Sequence, residues 1–314
     1  MTAEARETRP GPGKWLKRRF RRLAVSMLDR YVRWRGRQGL DAIQRDGERL
    51  GRLHHFATPL LRRRLRKQIT RVMGPETGHA KVRGWLRKAY ATNDRAALEV
   101  MAQACAAVPQ REIVDSVDIR GAEALLARAE SGQGAVLMGI HAGNAFALLL
   151  ALDRLGVPIT VVAYESRKLP SGFFHNMFRD SGVRIVDARP EFAAFYHLDK
   201  ALKRGRMTFI PIDQINRQGG VPTHFLGKQV NMPAGAATLA RKYDVPVFPV
   251  LLDAAEPRWT FRISEAIRLP EGDSTEQNVA RLADLVDCHI RAHPELWSWH
   301  QRRWLRYPFP EESE

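Results

Sequence analysis

The stretch SGQGAVLMGIHAGNAFALLLAL, residues 131–152, runs for 22 positions without a Lys, Arg, Asp or Glu, long enough to cross a bilayer. Its centre argues against a span. Gly139, His141, Gly143 and Asn144 fall where polar groups are most costly in lipid, and Gly-Asn is turn chemistry. The stretch therefore reads as a strand, a turn and a buried helix, with His141 at the strand's end.

Working downstream, the same rhythm recurs. Short apolar runs rich in Val and Ile occupy 134–140, 159–164, 183–186, 207–212 and 245–252, and helix-like stretches such as 192–203 and 233–243 lie between them. Near-continuous apolar strands alternating with helices predict an α/β domain over 111–306, its largely parallel central sheet covered by helices on both faces. In such sheets ligands gather at the carboxyl ends of the strands, where His141 falls. A last helical pattern over 275–293 ends at Pro294.

Working upstream, the composition changes. Residues 1–72 hold 21 Lys and Arg against 6 Asp and Glu, so +15 of the chain's +17 sits in its first quarter. Over 14–35, Phe20, Leu23, Met27, Leu28, Tyr31 and Trp34 recur at helical steps with Lys17, Arg18, Arg21, Arg22 and Arg30 largely elsewhere, a basic amphipathic helix. Helices over 40–54, 59–72 and 82–107 complete a basic helical subdomain over 14–110. Residues 1–13 and 307–314 read as tails, the first without the apolar core of a secretory signal. Such a charge excess suits an anionic membrane surface or nucleic acid. Cys105 and Cys288 lie too far apart for a disulfide framework and suit a reducing compartment.

The chemistry-bearing residues cluster at predicted strand ends. His141 stands beside small residues that let a substrate approach the backbone, and a neutral imidazole is the usual general base near pH 7. Asp213-Gln214 follows the 207–212 run, Glu165 the 159–164 run. Phe225-Leu226-Gly227 and Met232-Pro233-Ala234-Gly235 come next, the latter opening a helix.

Taken in order, His141, Arg179-Asp180-Ser181-Gly182, Asp213-Gln214, Phe225-Leu226-Gly227, Met232-Pro233-Ala234-Gly235 and the terminal run from Pro294 to Trp304 resemble the late acyltransferases of lipid A assembly, which are lysophospholipid-acyltransferase-like. The resemblance implies transfer of a fatty acyl chain from an acyl carrier protein or acyl-CoA thioester to a hydroxyl or amine of a lipid or glycolipid. It implies work at the cytoplasmic face of a bacterial inner membrane without a cofactor. The family usually carries a hydrophobic N-terminal anchor; in its place the basic amphipathic front here is expected to lie on the surface, a peripheral placement. No metal is expected. His141 matches the family's base and Asn144 its Gly-Asn pair. The substrate-contacting candidates it carries over are Gly143, Asn144, Arg167, Arg179, Gln214, Phe225, Gly227 and Gly235.

One position departs from the family pattern. Five residues after His141, where the family has Asp or Glu, stands Phe146. Three readings stay open. Another carboxylate substitutes, with Glu165 first and Asp213 second; the acceptor is a stronger nucleophile; or the chain is a silent relative that binds acyl lipid or a partner enzyme. A nucleic-acid-binding role competes on charge alone and lacks any recognition signature. Cys288-His289, His293 and His300 are set aside as a metal set, because adjacent helix residues point apart. Trp297, Trp299 and Trp304 among arginines are expected to mark a membrane-interface edge.

Overall fold

The computed structural model describes residues 12–163, 172–188, 191–215 and 219–310. The helical front consists of α1 (Pro12–Gly36), α2 (Leu40–Ala57), α3 (Pro59–Met73), α4 (His79–Ala104) and α5 (Gln110–Asp115). Then come β1 (Val117–Arg120), α6 (Glu123–Glu130), β2 (Ala135–Gly139), α7 (Ala145–Arg154), β3 (Ile159–Ala163), α8 (Phe173–Met177), β4 (Arg184–Asp187), α9 (Glu191–Lys203) and β5 (Met207–Pro211). The chain continues through β6 (Val221–Phe225), β7 (Lys228–Met232), α10 (Gly235–Lys242), β8 (Val247–Ala254), β9 (Trp259–Ile263), α11 (Thr275–Ala292) and α12 (Arg302–Leu305).

The fold is α/β. Seven strands form one sheet in the order β1-β9-β8-β2-β5-β3-β4, and every pairing is parallel except β8 with β9. All five residues of β2 are buried, as a central strand covered on both faces requires. The uncharged stretch at 131–152 divides into β2, a turn and α7, and no helix among the described residues is long and apolar enough to cross a membrane. The five apolar runs became β2, β3, β4, β5 and β8. Four strands were not anticipated: the β6–β7 hairpin, and β1 and β9, which each carry arginine and pair at the sheet's far edge, so their apolar signal is broken.

The helical front joins the same apolar core. Ile43, Leu65 and Leu86 belong to one buried cluster with Leu137, Leu148 and Phe209. α2 crosses α4 closely: a Cβ at Gly51 would stand 2.5 Å from the Ala91 Cα, so a larger residue there forces the helices apart. α1 contributes buried Val32 but leaves Leu23, Met27, Tyr31 and Trp34 exposed.

Candidate active site

The parallel pairing of β2 with β5 sets the centre. From Ala135↔Met207 to Gly139↔Pro211 the register offset is constant at 72 residues, and the Ile212 N–H continues the ladder to the Gly139 carbonyl. Carried two residues further, the same offset sets His141 against Asp213. The His141 ring Nδ1 lies 2.7 Å from Asp213 Oδ1, and the His141 backbone N–H is 3.1 Å from both carboxylate oxygens.

Asp213 has no exposed surface, so its charge must be met by donors. Besides His141, the Trp297 indole N–H and the Gln301 side-chain amide each donate to Oδ2 at 3.0 Å. Burial pushes the carboxyl pKa up, but the charge on His141 and the hydrogen bonds from its ring, Trp297 and its backbone outweigh that and hold it below the usual value. With Nδ1–H directed at a carboxylate, the basic lone pair of the neutral ring resides on Nε2. The His141 side chain is 45% exposed while its partner is 0% exposed, the arrangement of a base that meets substrate and an acid that does not.

A second buried carboxylate supports the turn after His141. Asn144 caps α7 by accepting from the Ala147 N–H at 3.1 Å and donates to Glu99 Oε2 at 3.1 Å. The Trp259 indole donates to the same oxygen at 2.6 Å, and Arg95 donates to Oε1 at 3.0 Å while lying over the Trp259 ring. Burial raises the Glu99 pKa, opposed by the Arg95 charge and these donors. Gly143 is left-handed at φ 58°, and a Cβ there would come within 2.9 Å of Leu252 and Trp259. The His141-to-Asn144 turn is thus fixed from beneath by α4, β8 and β9. Glu99 and Arg95 lay unremarked in the sequence, because an Arg and a Glu four residues apart on a helix read as an ordinary surface ion pair.

Several sequence expectations are corrected. Glu165 and Arg167 lie outside the described residues, but β3, which precedes them, is not β2's neighbour: β5 stands between them. Asp213, ranked second, is the carboxylate on His141. Asn144 is fully buried and spends its amide on the cap and Glu99, so it shapes the turn and does not face substrate. Phe225 is buried with its ring edge-on to Trp297. Gly227, with Leu226, forms the positive-φ turn of the β6–β7 hairpin, a conformational need that accounts for the glycine. Gly235 begins α10 beside open space, and Gln214 is exposed next to Asp213. Arg179 is exposed, donates to the Asn176 side chain at 2.5 Å and lines a cavity of about 400 Å³ with Phe174, Phe178, Val183 and Ile185.

Trp297, Trp299 and Trp304 are corrected as well. All three are buried, packed edge-to-face at 4.9–5.7 Å, and so unable to mark a membrane edge or stack on bases. Their segment is tied to the centre by a backbone bridge between Ala142 and Trp297. Phe146 is half-buried against Phe174 and Phe178.

The family model described as bacterial lipid A biosynthesis acyltransferase matches residues 36–306. No curated protein matches the chain.

Proposed function

The chain belongs to the bacterial lipid A biosynthesis acyltransferase family, and from that premise we propose that it moves a fatty acyl chain from an acyl carrier protein or acyl-CoA thioester to a hydroxyl or amine of a lipid or glycolipid. The observation that carries this reading is the 2.7 Å contact between His141 and fully buried Asp213.

His141 Nε2 takes the proton of the acceptor hydroxyl as its oxygen attacks the thioester carbonyl. Asp213 holds the ring in the required tautomer and stabilises the imidazolium that results. Collapse of the tetrahedral intermediate breaks the C–S bond, and the imidazolium returns its proton to the departing thiolate. The apolar wall of Phe146, Phe174 and Phe178 suits a fatty chain. The silent-relative reading rested on Phe146, and the carboxylate on the imidazole supports the enzymatic reading over it.

The same reading places the protein peripherally on the cytoplasmic leaflet of a bacterial inner membrane. Its support is the exposed apolar stripe of α1, with Leu50, Leu53, Phe56 and Leu60 exposed on the adjoining helices, within the segment that carries the +15 excess. Each well-placed Lys or Arg near anionic lipid contributes about 1 kcal/mol.

The test is acyl transfer by the purified chain, with acyl carrier protein and CoA thioesters compared on vesicle-borne lipid acceptors. His141→Ala is expected to lower the rate by roughly 10² to 10⁴ with the fold kept. Activity within a few-fold of wild type removes His141 from the mechanism.

A further inference from the structure

Asp253 on β8, His289 on α11 and His293 at the end of α11 each bring a ligand atom within 4.8 Å of the others, apart from the His141–Asp213 pair. We propose that these three side chains form a binding site for one zinc-class divalent ion that clips α11 to the carboxyl end of β8.

The set could not be assembled from the sequence. Cys288 is adjacent to His289, and helix geometry turns the thiol outward, where it is exposed. His289 in the last turn of α11 and His293 at its C-cap are four residues apart, their rings 5.1 Å apart. The third member, Asp253, comes from β8, 36 residues before His289. Two imidazoles and a carboxylate are a recurrent three-ligand zinc set that leaves a fourth position for water.

The surroundings fit that chemistry. His289 Nε2 lies 2.9 Å from the Leu252 carbonyl oxygen, so it donates there and turns its Nδ1 into the ligand; an outer hydrogen bond of this kind orients most metal-bound histidines. His289 is buried, so its ring is held in place by the surrounding packing. Arg262 holds Asp253 through Nε to Oδ2 at 3.0 Å and Nη2 to Oδ1 at 3.2 Å, orienting the carboxylate while each oxygen keeps a lone pair.

Around a tetrahedral ion with bonds of about 2.1 Å, ligand atoms sit roughly 3.4 Å apart, so the triad must close by up to about 1.4 Å. His293 can supply that movement. It is half-buried and sits at the C-cap, outside the last regular turn of α11. The guanidinium beside Asp253 weakens attraction for a cation, so this site gives moderate affinity and is emptied by chelators.

The experiment uses the full chain without a polyhistidine tag, stripped with chelator and titrated calorimetrically with zinc chloride, with thermal unfolding followed in parallel. One zinc per chain is expected, with a rise in Tm. His293→Ala, the milder His293→Gln and Asp253→Asn are each expected to weaken binding at least tenfold while leaving the metal-free Tm near wild type. Cys288→Ser is expected to bind as wild type. The proposal is overturned by the absence of stoichiometric uptake. It is equally overturned by uptake that survives the His293 and Asp253 substitutions, or by uptake that depends on Cys288.

Discussion

The Phe146 ring lies 5.5 Å from that of Phe174, so the position where the family has a carboxylate is here part of an apolar wall. Phe178 is a further ring neighbour, at 6.0 Å. The carboxylate on His141 comes instead from Asp213, two residues past the end of β5, the strand beside β2. Phe146→Glu is therefore expected to bring no gain in acyl transfer. It places a charge in an aromatic contact and is expected to cost about 1–3 kcal/mol. Thermal unfolding and a transfer assay read both effects; a rate above wild type would mean that Asp213 is not a sufficient partner.

Asp213→Asn keeps the shape of the side chain and removes its charge. Transfer is expected to fall by about 10³ to 10⁴, the scale seen when a histidine loses its orienting carboxylate. The same variant tests the pH dependence of stability. Asp213 has a folded pKa below its usual 3.8, so its contribution is present above about pH 4 and lost as pH falls through the lower folded value. Urea midpoints at pH 7 and pH 3 should differ less in Asp213→Asn than in wild type. An equal or larger difference contradicts the assignment.

The α/β class and five of the strands were legible because central parallel strands are apolar throughout, as in Ala135–Gly139. His141 was legible because it ends such a run. Its partner was less so: Glu165 and Asp213 both follow apolar runs, and choosing between them requires the strand order. Chain order suggests that the run after β2 is its neighbour, whereas β5 crosses back and inserts between β2 and β3. The constant offset of 72 is visible only once that order is known. The tryptophans misled for a related reason. Composition places Trp and Arg together at a membrane edge, but Trp297 is fixed by a backbone bridge to Ala142 and by Asp213, neither nearby in sequence.

The exposed stripe of α1 offers a cleaner membrane test than removal of the helix. Val32 is fully buried, and a Cβ at Gly36 would clash with the Ala107 carbonyl, so deleting α1 would uncover part of the core. Combined Leu23→Glu, Met27→Glu and Trp34→Glu substitutions alter only exposed positions. They are expected to release the protein from vesicles containing anionic phospholipid while the Tm stays within a few degrees. Binding of wild type should weaken with added salt, as charges near the surface are screened. Unchanged sedimentation of the triple variant excludes this face.

Asn144→Ala removes both the α7 cap and one donor to buried Glu99. The cap alone is worth about 1 kcal/mol, and a buried carboxylate oxygen losing a donor adds about 1–3 kcal/mol. The destabilisation should be accompanied by loss of transfer, because the turn that aims His141 begins three residues earlier. Full activity at temperatures where the variant is folded would show that the Glu99 network bears on stability alone.

Trp297→Phe separates the two tasks of the indole. Phenylalanine retains most of the packing against Trp299, Trp304 and Phe225, and it removes the N–H that donates to Asp213 Oδ2. Gln301 and the His141 backbone still donate to that oxygen, so the carboxylate stays bound but less stabilised as an anion. A less stabilised anion accepts a proton at higher pH. The acid limb of the rate profile should therefore move upward in Trp297→Phe, with kcat lowered by roughly tenfold, about 1.4 kcal/mol. A role in packing alone predicts a lower Tm with an unmoved profile. Combining Trp297→Phe with Asp213→Asn sharpens the distinction: if the indole acts through the carboxylate, the double variant is no slower than Asp213→Asn, whereas independent actions multiply.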